Sequence, residues 1–129
     1  MFRYSSVAGL CFGIDFDGTC VTHRYPEIGT PVPHCIEVLK RIQKEGGLLI
    51  LWTMRSNEHL QTAVKYLADN GITLYGINTN PRQHTWTSSP KAEAQIYIDD
   101  AALGCPLIYP GPGVRPYVDW KKVEDILFN

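Results

Sequence analysis

Two carboxylates, a glycine and a hydroxyl stand together in Asp15-Phe16-Asp17-Gly18-Thr19, directly behind the apolar run from Val7 to Ile14. That grouping can transfer a phosphoryl group. An aspartate can attack phosphorus, and a second one two positions on can donate a proton and take it back. Residues i and i+2 of a strand share a face, and a turn beginning at the strand end lets both carboxylates reach one point. Gly18 keeps the turn open for a phosphate to meet backbone N–H groups, and Thr19 adds a hydroxyl donor. Asp and Gly are also ordinary turn residues, so the motif alone leaves open a strand that ends in a polar turn.

Three further groups could serve the same chemistry. Thr53, within Leu51-Trp52-Thr53-Met54-Arg55, ends an apolar run with a hydroxyl and precedes a helical pattern. It suits a phosphoryl oxygen, with Met54 and Arg55 beside it as substrate contacts, or it is a helix cap. Lys91 could neutralise a phosphate, although an isolated lysine is usually a solvated surface residue. Asp99-Asp100 ends another apolar segment and could bind Mg²⁺, whose octahedral shell suits carboxylates and waters, or could simply form a turn.

The elements that must position these residues alternate between strand and helix. After the first strand, Cys20 to Pro33 is rich in Pro and Gly and reads as a flap or hairpin beside the motif. A helix is expected over His34 to Glu45, with Ile36, Leu39 and Ile42 on one face and a stop at Gly46-Gly47. Leu48 to Trp52 reads as a buried strand. Ser56 can cap a second helix with a stripe of Leu60, Val64, Leu67 and Ala68, ending at Asn70-Gly71. Thr73 to Ile77 and Ala94 to Ile98 read as strands, separated by a long loop from Asn78 to Pro90. Leu107 to Tyr109 is a candidate fifth strand, and a last helix starts near Asp119 with Val123, Ile126 and Leu127 facing inward. The pattern implies a mostly parallel sheet covered on both faces, with ligands beyond the carboxyl ends of its strands. The motif aspartates, Thr53 and the Asp99-Asp100 pair all follow such ends.

Composition narrows the function. The chain has 129 residues, enough for one domain spanning 1–129, and 44% hydrophobic with 19% charged residues is the balance of a soluble globular protein. No stretch is apolar and long enough for a bilayer, and a net charge of −1 gives no overall field for nucleic acid. Cys11, Cys20, Cys35 and Cys105 contain no CxxC pair, which suggests free thiols in a reducing cytoplasm. His23, His34, His59 and His84 are scattered, which argues against zinc.

Taken in order, Asp15-Phe16-Asp17-Gly18-Thr19, Thr53, Lys91 and Asp99-Asp100 closely resemble the four motifs of the haloacid dehalogenase superfamily of phosphohydrolases. The resemblance covers nearly the whole chain. It implies a Rossmann-like three-layer sandwich with a mostly parallel five-stranded sheet, and the absence of long insertions implies no cap domain. It further implies that Asp15 is the nucleophile, Asp17 the acid and then the base, and that Thr53 and Lys91 hold the phosphoryl group. Gly18 and Thr19 line the substrate. Mg²⁺ is expected on Asp15, the backbone carbonyl of Asp17, Asp99 and Asp100. Lys91 precedes Asp99 by only eight positions, which leaves no room for a long helix and makes Arg55 an alternative cation. Without a cap, the flap, the 78–90 loop or a second copy of the chain must exclude water, and His23, Arg24, Tyr25, Arg82, His84 and Trp86 carry recognition chemistry there. The partner expected is a phosphorylated substrate, neither a membrane nor a nucleic acid. A phosphate-binding or regulatory protein of the same fold, and less so a receiver-like phospho-acceptor, are the competing readings.

Overall fold

In the computed structural model, which describes residues 2–129, four short apolar runs form one parallel sheet. Its strands are β1 (Cys11–Ile14), β2 (Leu48–Leu51), β3 (Leu74–Ile77) and β4 (Ile96–Ile98), in the order β3-β2-β1-β4. The central β1 pairs Phe12 with Leu49 on one side and with Ile96 on the other. A strand buried on both faces has no polar alternation, so Cys11–Ile14 and Leu48–Leu51 are unbroken apolar runs. Val7 to Leu10, expected within the first strand, form a turn ahead of it, although Val7 remains buried.

Alternate strand residues serve two cores. Phe12, Ile14, Leu49, Leu51 and Ile98 face the larger one, which also receives the helices α1 (Cys35–Lys44), α2 (Asn57–Asp69) and α3 (Trp120–Phe128). Helical spacing selects Val38, Leu39 and Ile42 from α1, Ala63 and Leu67 from α2, and Trp120, Val123 and Leu127 from α3. Ala68 and Ile126, expected on the inner faces, are exposed. Ser56 stands at the N-terminus of α2 but its hydroxyl makes no capping bond, whereas Asp119 caps α3 by accepting from the Lys122 amide at 3.2 Å.

The opposite face carries Cys11, Ile50 and Ala92, with Leu48, Trp52, Tyr75 and Ala94 around them, and among the described residues no α-helix packs against this cluster. The expected three-layer sandwich is corrected here. Because β4 lies beyond β1 from β3, a crossover of the usual hand must pass over this face. Pro81 and Pro90 break that segment, and its only regular element is a 3₁₀ turn at Gln83–Thr85. Two buried amides satisfy its backbone instead. Asn80 Nδ2 donates to the Glu93 carbonyl, and Gln83 Nε2 donates to the Ser89 and Lys91 carbonyls while Gln83 Oε1 accepts from the Glu93 amide.

The candidate fifth strand also differs. Leu107–Ile108 forms β5, but it pairs antiparallel with β6 (Tyr117–Val118) in a separate ribbon, so the parallel sheet has four strands. The short Pro- and Gly-rich connection turns the chain straight back, which permits only an antiparallel pair. The Val118 amide then donates to the Gly18 carbonyl, and the Trp120 indole donates to the Thr19 carbonyl at 2.7 Å. The ribbon and α3 thus buttress the Asp15–Thr19 turn. Among the described residues no helix is long and apolar enough to cross a membrane.

Candidate active site

Asp15 leaves β1 with its amide bonded to the Ile98 carbonyl of β4. The chain then turns on itself: the Thr19 and Cys20 amides donate to the Phe16 carbonyl, and the Gly18 amide donates to the Val21 carbonyl. Thr19 is fully buried, and its hydroxyl donates to Asp15 Oδ2 at 2.7 Å while accepting from the Asp100 amide at 3.2 Å. One hydroxyl therefore ties two strand ends together. Gly18 and Thr19, expected to touch substrate, have their donors engaged within the protein. Gly18 has φ +86°, and a Cβ there would overlap His23 Nε2 and Asp100 Oδ2, so only glycine fits.

Asp15, Asp99 and Asp100 each offer a carboxylate oxygen, and these atoms lie within 4.8 Å of one another. Burial, helped by the charges of Asp99 and Asp100 and opposed by the Thr19 hydrogen bond, drives the Asp15 carboxyl up from 3.8 to about 8. Three convergent carboxylates with such an unfavourable charge balance match the oxygen donor set of a hard divalent cation. Asp99 Oδ1 accepts from the Ala101 amide, and Asp100 Oδ2 lies 2.8 Å from His23 Nε2, so the flap's histidine closes one side of the cluster.

Asp17 follows a different course. Its two oxygens accept from Arg55 Nε and Nη2, both at 2.8 Å. Arg55 Nη2 also donates to the Glu27 carbonyl, and Nη1 donates to the carbonyls of Pro26 and His59 at 3.0 and 3.2 Å. All five guanidinium donors are therefore used. The guanidinium carbon lies 5.1 Å from the ring centroids of both Phe16 and Tyr25. Arg55, expected as a substrate contact or alternative cation, is a buried fastener joining the turn, the flap and the start of α2.

Thr53 stands beyond the end of β2, where its amide donates to Asn78 Oδ1 at 2.8 Å and its hydroxyl accepts from the Arg55 amide at 3.1 Å. Asn78 takes φ +54° at the end of β3, a conformation asparagine tolerates. Asp15, Trp52, Thr53, Met54, Asn78, Pro90 and Asp99 line an open pocket of about 320 Å³. The amides of Phe16, Asp17 and Met54 donate to no acceptor among the described residues, which leaves them for a ligand.

Lys91 is not among the lining residues. It is exposed, its ammonium sits 5.6 Å from the Tyr97 ring centroid, and it pairs with none of the aspartates among the described residues. Arg82 and Trp86 line a separate cavity of about 340 Å³ with Gly9, Cys11 and Leu48, at the amino ends of β1 and β2. His84 bonds locally to the Pro81 carbonyl. Arg82 and Trp86 therefore lie with the far edge of the sheet, Arg24 and His84 are exposed, and of His23, Arg24 and Tyr25 in the flap, His23 alone bonds to one of the clustered acids. Asn78 and Trp52 also line the pocket; an asparagine directly after an apolar run is the sequence signal for the first, and Trp52 carries none.

No protein-family model matches the chain, and no curated protein does. Among solved structures, a conserved protein from Bacteroides thetaiotaomicron superposes with a TM-score of 0.74 and is 35% identical, the match covering 91% of this chain and 88% of that one. The chain belongs to the family of that conserved protein.

Proposed function

We propose that the chain is a Mg²⁺-dependent phosphohydrolase of the haloacid dehalogenase type that cleaves a phosphomonoester through an aspartyl-phosphate on Asp15. The observation that carries this reading is the convergence of Asp15, Asp99 and Asp100, the first two of which line a pocket together with Thr53. A carboxylate oxygen of Asp15 forms a bond to phosphorus as the ester oxygen leaves; water then breaks the new acyl-phosphate bond and frees phosphate. Mg²⁺ bound by Asp15, Asp99, the Asp17 carbonyl and Asp100 would supply the positive charge that lets a carboxylate meet a phosphate dianion. Thr19 holds Asp15 in place, and the Thr53 hydroxyl and the free amides of Phe16, Asp17 and Met54 are donors for the phosphoryl oxygens.

Asp17 is the residue for protonating the leaving oxygen and activating water, but both of its oxygens accept from Arg55. Each oxygen keeps further acceptor capacity, so Asp17 can still exchange a proton, but only in the orientation that the guanidinium fixes. That observation, with the outward Lys91, favours a second reading: a phosphate-binding protein with little turnover. Phosphate release from a panel of esters, with Mg²⁺ and with chelator, separates the two. Turnover that requires Mg²⁺ and vanishes in Asp15→Asn supports the hydrolase. Tight phosphate binding with no release from any ester supports the binder.

A further inference from the structure

We propose that the site selects phosphomonoesters whose ester oxygen sits directly on an aromatic ring, an inference that rests on the phosphohydrolase reading. Beyond the acids at its floor, the pocket meets a substrate with Trp52, Met54 and Pro90. No ammonium or guanidinium lines it: Arg55 has spent all five donors, and Lys91 lies outside. A second phosphate would find no cation there. A polyol would lose its water for little more than the Asn78 amide and the Thr53 hydroxyl.

Met54 is 98% exposed. A thioether held in water at the lip of a pocket contributes nothing to the core, and a ring laid across it would remove apolar surface from solvent and gain a sulfur–aromatic contact. Trp52, Thr53 and Met54 are consecutive and all three line the pocket, so apolar residues flank the one whose hydroxyl is set to hold the phosphoryl group. Carbon therefore begins within one side chain of phosphorus. A ring bonded straight to the ester oxygen falls against these walls, whereas a spacer would carry it past them. About 320 Å³ is room for this, since a cavity of about 150 Å³ accepts benzene and the remainder admits the phosphate.

Leaving-group reactivity favours aryl esters on any phosphatase, so the test is binding. The Mg²⁺-loaded protein is titrated with phenylphosphonate and methylphosphonate as competitors of phosphate, in wild type and in Met54→Ser, whose exposed position leaves folding intact. The expected result is about tenfold tighter binding of the phenyl compound in wild type and a gap reduced several-fold in the variant. Equal affinities of the two phosphonates in wild type, alongside Mg²⁺-dependent phosphate release from any ester, would overturn the ring preference and leave the hydrolase reading standing. An unchanged gap in Met54→Ser would equally overturn the role given to that wall. No phosphonate binding and no release from any ester would remove the hydrolase reading itself. Free phosphotyrosine and a phosphotyrosine peptide, compared by KM, identify the source: a lower KM for the peptide points to a protein, and a lower KM for the free ester to a metabolite.

Discussion

Asp15→Asn should make the metal-free protein more stable, and increasingly so as pH rises. The folded chain holds a proton on Asp15 up to about 8, while the same carboxyl in the unfolded chain releases it near 3.8. Between those values the folded state binds more protons than the unfolded one, so stability falls with pH across this window; the penalty is absent below it and complete above it. At pH 7 the gap is roughly three pH units at about 1.4 kcal/mol each, or about 2–4 kcal/mol once relaxation around the charge is allowed for. Asparagine keeps an oxygen to accept from Thr19 and presents an amide to the other acids, so it removes the penalty without leaving the hydroxyl unpaired. Urea unfolding in chelator, followed by tryptophan fluorescence, should place the variant about 2–4 kcal/mol above wild type at pH 7, or roughly 6–15 °C in Tm. Near pH 4.5 the difference should fall to about 1 kcal/mol or less. On the proposed reading, saturating Mg²⁺ should narrow the gap or reverse it, because it would bind the folded wild type through the charge the variant lacks. A variant no more stable than wild type at pH 7, or an advantage that shrinks as pH rises, would refute the account of Asp15 as a carboxyl strained by burial and by its acidic neighbours.

Other perturbations probe the remaining contacts. Arg55→Ala should cost about 3–5 kcal/mol, because it strips a partly buried carboxylate of its partner and frees two flap carbonyls, and hydrogen exchange should rise first between Thr22 and Gly29; uniform exchange across the chain would contradict the fastening role. Asp99→Ala and Asp100→Ala should each weaken Mg²⁺ in calorimetry, Asp99 the more severely because Asp100 is shared with His23; identical titrations in wild type and both variants would exclude them as ligands. Lys91→Ala should change stability by less than about 0.5 kcal/mol and phosphate release by less than about twofold, as for a surface side chain. A loss of tenfold or more in steady-state kinetics would return Lys91 to the site.

Much of the fold was legible because local patterns decide it. Every strand of the parallel sheet and every helix falls within an expected segment, since apolar runs of four or five residues between Gly, Asn and Pro boundaries admit little else. The layer count was not legible, for it depends on what the β3–β4 crossover does without a helix. Asn80 and Gln83 hold that crossover down through hydrogen bonds to residues two to thirteen positions along the chain, which no periodicity reveals. The β5–β6 ribbon escaped for a related reason: two-residue strands carry too little pattern to state what they pair with.

The site divides along the same line. Asp15, Thr53, Asp99 and Asp100 stand at strand ends, and in a parallel sheet all such ends reach one edge, so order along the chain was enough to place them together. The cations were another matter. A guanidinium's role is set by where its five donors find acceptors, and those of Arg55 come from Asp17, Pro26, Glu27 and His59, up to 38 positions away. The sequence offers a positive charge next to Thr53 in either case; only the fold shows that this charge is spent on Asp17 and the flap. The same pairing links two parts of the site, because any movement that draws Asp17 off the guanidinium loosens the side chain that also holds Pro26 and Glu27. The flap and the orientation of Asp17 are therefore coupled through a single side chain, and on the proposed hydrolase reading a substrate that displaces the flap would also change how Asp17 is held.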